Sequence, residues 1–393
     1  MSSPIRVLGT LVGDIQHKPD MQIKYGRFFE SLSRRFELVE VYDATLHGRA
    51  KYWNALRTFT PSLPQWKQRF FKNVPAFQAR SWRARKHFHA MQDGADVVLQ
   101  LGALFDATSE ESSLPVVLYT DNTTSITARY PDTGRLPFKN SELGRWLDCE
   151  MQLYHRAVHI CARASIVKRS LIDDYGVPAE KVSVIGGGVN LNVLPVVPER
   201  KTGLTPTLLF IGIDFYRKGG DLVLQAFGQV RKLIPSAQLI VVTQDAVPKG
   251  FSRDGVRILA PIWGRAEVQE LYRQADVFIL PSRLETWGDV LLEAMAFGLP
   301  CIGVYGQAME DIIIPGETGF LVAPEQIELL TEAIVQLFEQ PNLRYRMGQA
   351  ASLLVAHEFT WDRVVERLAP ILDSTVRKLP VSRRLSSLER MCV

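Results

Sequence analysis

Cysteine is scarce in this chain, and its placement weighs against two classes of protein. The four thiols among 393 residues, Cys149, Cys161, Cys301 and Cys392, form no C-x-x-C pair and have no histidine at ligand spacing. They fit free thiols in a reducing compartment better than a disulfide framework or a zinc module. No apolar run approaches the roughly 18–20 residues that cross a bilayer. The start, Met1-Ser-Ser-Pro-Ile5, has no apolar signal region and leads into a buried strand, so a cytoplasmic location is expected. No Asp-x-Asp occurs to hold a divalent cation, and no G-x-x-x-x-G-K-S/T to cradle a nucleoside triphosphate. A G-x-G-x-x-G after the first strand is also missing, which weighs against a dehydrogenase. None of the seven histidines forms a recognisable triad with serine and aspartate. Acidic residues are absent from one long stretch, Ala44 to Gln92, while the same stretch carries ten Lys and Arg.

Apolar residues make up 46% and charged residues 22%, the profile of a globular chain long enough for two domains. Short β-branched runs alternate with helix-length amphipathic segments, the pattern of parallel sheets covered by helices. Strands are expected at 5–11, 38–42, 96–101, 115–119, 166–167 and 182–185, with a long helix over 142–164. The stretch 192–206, rich in Pro and polar residues, reads as a linker. A second sheet follows it, with strands at 207–211, 238–242, 256–259, 277–280, 301–304 and 319–322. The fold class is α/β: two Rossmann-like, doubly wound domains at 1–197 and 198–360, a helix at about 361–376 packing back on the first, and a basic tail at 377–393.

Chemistry concentrates in two places. From Val277 to Pro300 the chain reads strand, loop, then a helix starting near Gly288, with Glu285 before the helix end and Glu293 more than a turn inside. A helix N-terminus offers unpaired N–H groups to an anion, and two carboxylates so spaced suit hydroxyls on two parts of one ligand. Alternatively, Glu285 caps the helix and Glu293 is a surface residue. The second place is Gly212 to Gly220, where the adjacent cations Arg217 and Lys218 sit between a strand and a glycine pair and suit two phosphates. In the first domain, Gly13 follows the first strand and permits close backbone approach. Asp121 follows another strand, where it either orients an acceptor, stabilises positive charge, or closes a loop turn.

These residues bear a resemblance. Glu285-x7-Glu293 followed by Ala-Phe-Gly-Leu-Pro resembles the E-x7-E signature of retaining GT-B glycosyltransferases, in particular glycosyltransferase family 4 (glycosyl transferases group 1). Gly316-Glu-Thr-Gly319-Phe-Leu-Val resembles the family's G-x-x-G-x-L-V segment. Asp173-Tyr-Gly-Val, Lys181-Val and Gly187-Gly188-Val-Asn190 resemble its inter-domain stretch. The resemblance runs from about residue 145 to 361. It implies a GT-B hexosyltransferase moving sugar from a nucleotide-diphosphate sugar, UDP- or GDP-linked, to a hydroxyl of a glycan, a lipid-linked acceptor or a small molecule.

The roles implied are these. Glu285 holds the donor sugar, Glu293 the ribose, and Lys218 the diphosphate. Trp287, Gly288 and Asp289 cradle sugar and diphosphate by their backbone, and the 257–263 stretch contacts the base. Asp121 acts on the acceptor side, and Gly13 lines the other wall. The family's first arginine is replaced by Ile213, so Arg217 is expected to supply the second cation. The only co-substrate expected is the nucleotide sugar, with no metal and no other cofactor. Arg49, Lys51, Arg57, Lys67 and their neighbours, interleaved with Trp53, Trp66, Phe70, Phe71 and Trp82, suit a membrane surface or an anionic lipid-linked acceptor; otherwise they form a solvated helical hairpin. Nucleic acid is not expected. A non-catalytic binding protein, or a sugar-nucleotide epimerase or hydrolase, are the competing functions on the same fold.

Overall fold

The computed structural model describes residues 4–15, 17, 21–109, 114–138, 140–197, 205–261 and 264–378. Residues 198–204 of the expected linker, Trp263 of the stretch assigned to the base, Cys392, and the tail arginines Arg383, Arg384 and Arg390 lie outside them. The chain forms two compact units. The first comprises Met1–Arg163, Val167–Gly186 and Trp361–Val393; the second comprises Ala164–Ile166 and Gly187–Thr360.

The first unit is built on a six-stranded parallel sheet in the order β2-β1-β3-β4-β5-β6. Its strands are β1 (Arg6–Leu11), β2 (Glu37–Asp43), β3 (Val97–Leu101), β4 (Val116–Thr120), β5 (His159–Ala162) and β6 (Val182–Val184). β3 and β4 are buried along their whole length, which is why they read as unbroken apolar runs. The helices are α1 (Arg27–Arg35), α2 (Gly48–Thr58), α3 (Leu63–Phe71), α4 (Val74–Ala90), α5 (Thr124–Ala128), α6 (Asn140–Arg156) and α7 (Ser165–Asp173). One reading is corrected here. The helical pattern expected over 142–164 stops at Arg156, and 159–162 is a strand, while 166–167 lies inside α7. A four-residue apolar run cannot be told from helix by its period. Pairing of Ile160 with Leu118 and Val182 decides it.

The second unit repeats the theme. Its strands are β7 (Thr207–Ile211), β8 (Gln238–Val242), β9 (Val256–Leu259), β10 (Val277–Ile279), β11 (Cys301–Val304) and β12 (Gly319–Val322). They form one parallel sheet in the order β12-β11-β10-β7-β8-β9. Its helices are α8 (Gly220–Leu233), α9 (Arg265–Gln274), α10 (Asp289–Ala296), α11 (Ile327–Glu339) and α12 (Pro341–Glu358). Cys161 lies inside β5 and Cys301 opens β11, both fully buried, and burial pushes both thiols well above their usual range.

The last described helix, α13 (Trp361–Arg377), belongs to the first unit. Trp361 packs edge-on against Phe28 of α1 at 5.4 Å between ring centres, and Phe28 stacks on Tyr119 of β4 at the same separation. The adjoining Arg34–Asp362 pair, at 2.6 Å, is solvent-facing and contributes little beside that packing. Phe28 is fully buried, so Phe28→Ala leaves a cavity between α1, α13 and the sheet. Urea unfolding is expected to show a loss of about 3–5 kcal/mol; a loss below about 1 kcal/mol contradicts this packing.

Candidate functional site

Parallel sheets bind ligands at the carboxyl ends of their strands, where the chain order reverses and neighbouring loops diverge. In the second sheet the chain runs outward from β7 to β9 on one side and from β10 to β12 on the other. The reversal therefore falls between β7 and β10. The loops leaving those strands, 212–219 and 280–288, carry five of the nine residues singled out in the sequence, and the helix that follows the second loop, α10, carries two more, Asp289 and Glu293.

The two loops are laced together. Gly219 sits at φ 76°, and a Cβ there would fall 2.2 Å from the Pro281 carbonyl oxygen, so only glycine allows this approach. The Arg283 N–H donates to the Arg217 carbonyl at 2.9 Å. The Arg283 guanidinium grips Asp221 at the start of α8 through two bonds of 2.7 and 2.9 Å. That pairing holds its pKa above even the usual arginine range.

Inside this frame, the Lys218 ammonium donates to the Glu285 carboxylate, with both side chains largely buried. Glu285 is fixed from two further sides. Its N–H donates to the Gln307 side-chain oxygen at 2.9 Å, and its carbonyl accepts the Ala308 N–H at 3.1 Å. Gln307 lies past the end of β11, so the loops after three neighbouring strands meet at Glu285, one at its carboxylate and one at its backbone. Arg217 is placed otherwise. Its Nε donates to Asp214 at 2.7 Å and its NH1 to the Leu284 carbonyl at 2.9 Å, bracing the backbone beside Glu285.

Gly288 caps α10 at φ 148°, and Asp289 opens the helix. The Trp287 indole is buried edge-on to Phe359, with 6.1 Å between ring centres, which leaves its backbone beside the helix start. One turn inside α10, Glu293 accepts the Tyr272 hydroxyl at 3.0 Å. Burial, then the Glu293 charge, pushes the Tyr272 phenol well above its usual range, so it stays a donor. Sequence reasoning missed Gln307 and Tyr272; neither stands in a motif, and each is found only through the carboxylate it positions. Ile213, where the resemblance leads one to expect an arginine, is a partly exposed side chain at the start of the 212–219 loop.

The two remaining residues lie in the first unit. The Gly13 N–H, past the end of β1, donates to Asp43 at 2.9 Å. Asp121 follows β4 and opens the turn into α5. That turn is anchored by a residue not expected from the sequence, Glu150 of α6. Its buried carboxylate accepts the Thr124 N–H at 3.1 Å, the Thr124 hydroxyl at 2.7 Å, the Trp146 indole N–H at 3.0 Å, and the Tyr175 hydroxyl. Lys72 lies close enough to feel both Glu150 and Asp121. Burial lowers its ammonium pKa, and those two carboxylates partly restore it. Among the described residues no cluster of three or more His, Cys, Asp or Glu is arranged to hold a metal ion.

Residues 198–353, which hold this whole second-unit site, match the family model of glycosyl transferases group 1. A search for similar solved structures finds a sucrose-phosphate synthase of Thermosynechococcus elongatus, with a TM-score of 0.65 at 18% identity over 94% of this chain and 98% of that one. Anabaena HepE, solved in complex with UDP, superposes with a TM-score of 0.64 at 16% identity over 94% and 100% of the two chains. The chain has the GT-B fold.

Among curated proteins, the GT-B chain is 30% identical over 204 residues to a GDP-mannose-dependent monoacylated alpha-(1-6)-phosphatidylinositol monomannoside mannosyltransferase of Corynebacterium glutamicum, covering 47% of this chain and 53% of that protein. It is 27% identical over 260 residues to a D-inositol 3-phosphate glycosyltransferase of Thermobispora bispora, covering 59% and 60%. It thus spans little more than half the length of these relatives.

Removing one member of the Lys218–Glu285 pair strands a largely buried charge. Lys218→Met or Glu285→Met alone is expected to cost about 3 kcal/mol of stability, and the double variant much less than the sum. A thermodynamic cycle by denaturant unfolding checks this; additive losses contradict the pairing. Glu150→Ala removes the acceptor of the Thr124 N–H, the Thr124 hydroxyl and the Tyr175 hydroxyl, while the Trp146 indole keeps only Thr124; it is expected to cost about 3 kcal/mol or more, measured in the same way, and a neutral substitution contradicts the anchoring role.

Proposed function

We propose that this chain transfers a glycosyl group from a nucleotide-diphosphate sugar to an acceptor hydroxyl. The observation that carries the reading is the Lys218–Glu285 pair at the β7/β10 reversal, with Glu285 in the loop that leads into α10 and both inside the segment that matches glycosyl transferases group 1. A cation, a carboxylate and a helix N-terminus meet there, which is the set of groups a sugar diphosphate requires. Support for a UDP- or GDP-linked donor comes from the GDP-mannose-dependent relative and from HepE solved with UDP and glucose.

In this reading donor binding opens the ion pair. Lys218 turns to the diphosphate and Glu285 accepts hydrogen bonds from sugar hydroxyls. Glu293, held by Tyr272, takes the ribose hydroxyls. The backbone at Trp287, Gly288 and Asp289 faces the diphosphate, whose charge grows on departure. Lys218 and the start of α10 then neutralise that charge without a metal. Arg217 is committed to Asp214 and Leu284, so its part is to position Glu285 through the loop backbone.

On the acceptor side, Asp121 orients a hydroxyl of a glycan, a lipid-linked acceptor or a small molecule, and Gly13 admits it closely. The hydroxyl attacks the anomeric carbon from the face the diphosphate leaves, its proton passing to the departing phosphate oxygen, and configuration is retained. No side chain among the described residues is needed as a nucleophile in this course; a trapped glycosyl-enzyme contradicts it.

A thermal-shift screen with UDP, GDP, ADP and their sugar conjugates, with and without EDTA, tests the reading. A donor at 100 times its dissociation constant is expected to add about 2.7 kcal/mol of stability, unchanged by EDTA and lost in Lys218→Ala. No shift with any donor favours a non-catalytic binding protein. A shift with donor consumption but no acceptor product favours an epimerase or hydrolase.

A further inference from the structure

The three helices between β2 and β3 carry the acid-free segment, and α2 (Gly48–Thr58) among them is built inside out. Its buried residues are polar. Asn54 donates to the Phe70 carbonyl at 2.8 Å, and the Thr58 hydroxyl donates to the Asn54 carbonyl at 2.7 Å. Its large apolar residues face water. Tyr52, Trp53 and Leu56, with Phe59 at the helix end, are each 64–72% exposed. At about 100° per residue, the four side chains fall within an arc of roughly 120°, opposite Asn54 and Thr58. Arg49 projects inside that arc and Arg57 at its edge, both exposed.

This arrangement is firmly held. The Trp66 indole of α3 donates to the Ala55 carbonyl at 3.1 Å, and its ring packs edge-on to Phe59 with 5.8 Å between centres. The apolar face is therefore presented by a docked helix, with its hydrogen-bonding face already committed to the fold. At 11 residues α2 is about 16 Å long, too short to cross a bilayer, and no described helix is long and apolar enough to do so.

We propose that α2 docks this chain on an anionic lipid bilayer, lying in the interface with Tyr52, Trp53, Leu56 and Phe59 among the acyl chains and Arg49 and Arg57 at the phosphates. Charge selects this occupant. No Asp or Glu occurs from Ala44 to Gln92, whereas ten Lys and Arg do. The acidic residues that meet this segment from outside it are Asp43 beside His47, Glu40 beside His87, Asp106 beside Arg85 and Glu142 beside Arg69, and none of these pairs includes Arg49 or Arg57. A second copy laid on the same face sets Arg49 and Arg57 against their own equivalents, whereas lipid phosphates neutralise them. Aromatic rings flanked by arginine suit the boundary between headgroups and acyl chains. The inference stands apart from the transfer reaction, since it needs no donor and no acceptor.

Flotation of the full chain with vesicles of phosphatidylcholine, alone or with one-third phosphatidylglycerol, tests it at about 0.1 M salt. The wild type is expected to bind the anionic vesicles more than tenfold more tightly than the neutral ones. Trp53→Ser/Leu56→Ser weakens binding to both vesicles about tenfold or more. Arg49→Gln/Arg57→Gln abolishes most of the preference for anionic lipid. All the changed side chains face solvent, so melting temperatures stay at the wild-type value and separate lost docking from lost folding. A wild type that does not float with anionic vesicles overturns the proposal. So does either double variant floating like the wild type, or a dimer in sedimentation that Trp53→Ser/Leu56→Ser dissolves.

Discussion

Two loops that leave neighbouring strands for opposite sides of a sheet have no reason of their own to stay together. In the second unit backbone bonds and the Arg283–Asp221 pair lace them at their edges, and a buried ion pair, Lys218 with Glu285, joins them at the site itself. Such a pair gives little net stability, because desolvating both charges offsets most of their attraction. It survives where each charge has a use, or where the surrounding dipoles hold both in place. Here the N–H of Glu285 is held by Gln307 and the adjoining Leu284 carbonyl by Arg217, so the carboxylate is fixed before any ligand arrives. A site already organised loses little freedom on binding.

The first unit uses the same device with a different composition. Glu150 lies under the turn that follows β4 and accepts from Thr124, Trp146 and Tyr175. Neutral donors satisfy its carboxylate, which ties down the turn after Asp121, and the Lys72 ammonium feels both Glu150 and Asp121. Sheet and helices thus supply a frame in each unit, and a buried carboxylate makes one strand-end loop definite. Chemistry needs the loops, and the loops need those carboxylates.

The second sheet was legible from the sequence because its strands are apolar runs bounded by glycine, proline or charge. Five of the six strand ranges agree at both ends, and β10 differs by one residue. The first sheet was less so. His159–Ala162 is too short to carry a period, and its neighbours β4 and β6, distant in sequence, decide its state. The acid-free segment showed its charge but not its orientation, because only the docking of Asn54 and Thr58 reveals that α2 turns its aromatic residues outward. At the site, Glu285, Glu293 and Lys218 stood in a recognisable spacing. Gln307, Tyr272 and Glu150 did not, since a residue that positions another is defined by a contact across the fold. Arg217 was legible as a cation but not as a brace, because Asp214 three residues earlier does not by itself announce the pairing.

The structure of the chain with a nucleotide sugar bound tests the central claim most directly. The account predicts the diphosphate between the 212–219 loop and the start of α10, with Lys218 swung from Glu285 to a phosphate oxygen and Glu285 on a sugar hydroxyl. A nucleotide bound elsewhere, or bound there with the Lys218–Glu285 pair still closed, contradicts it.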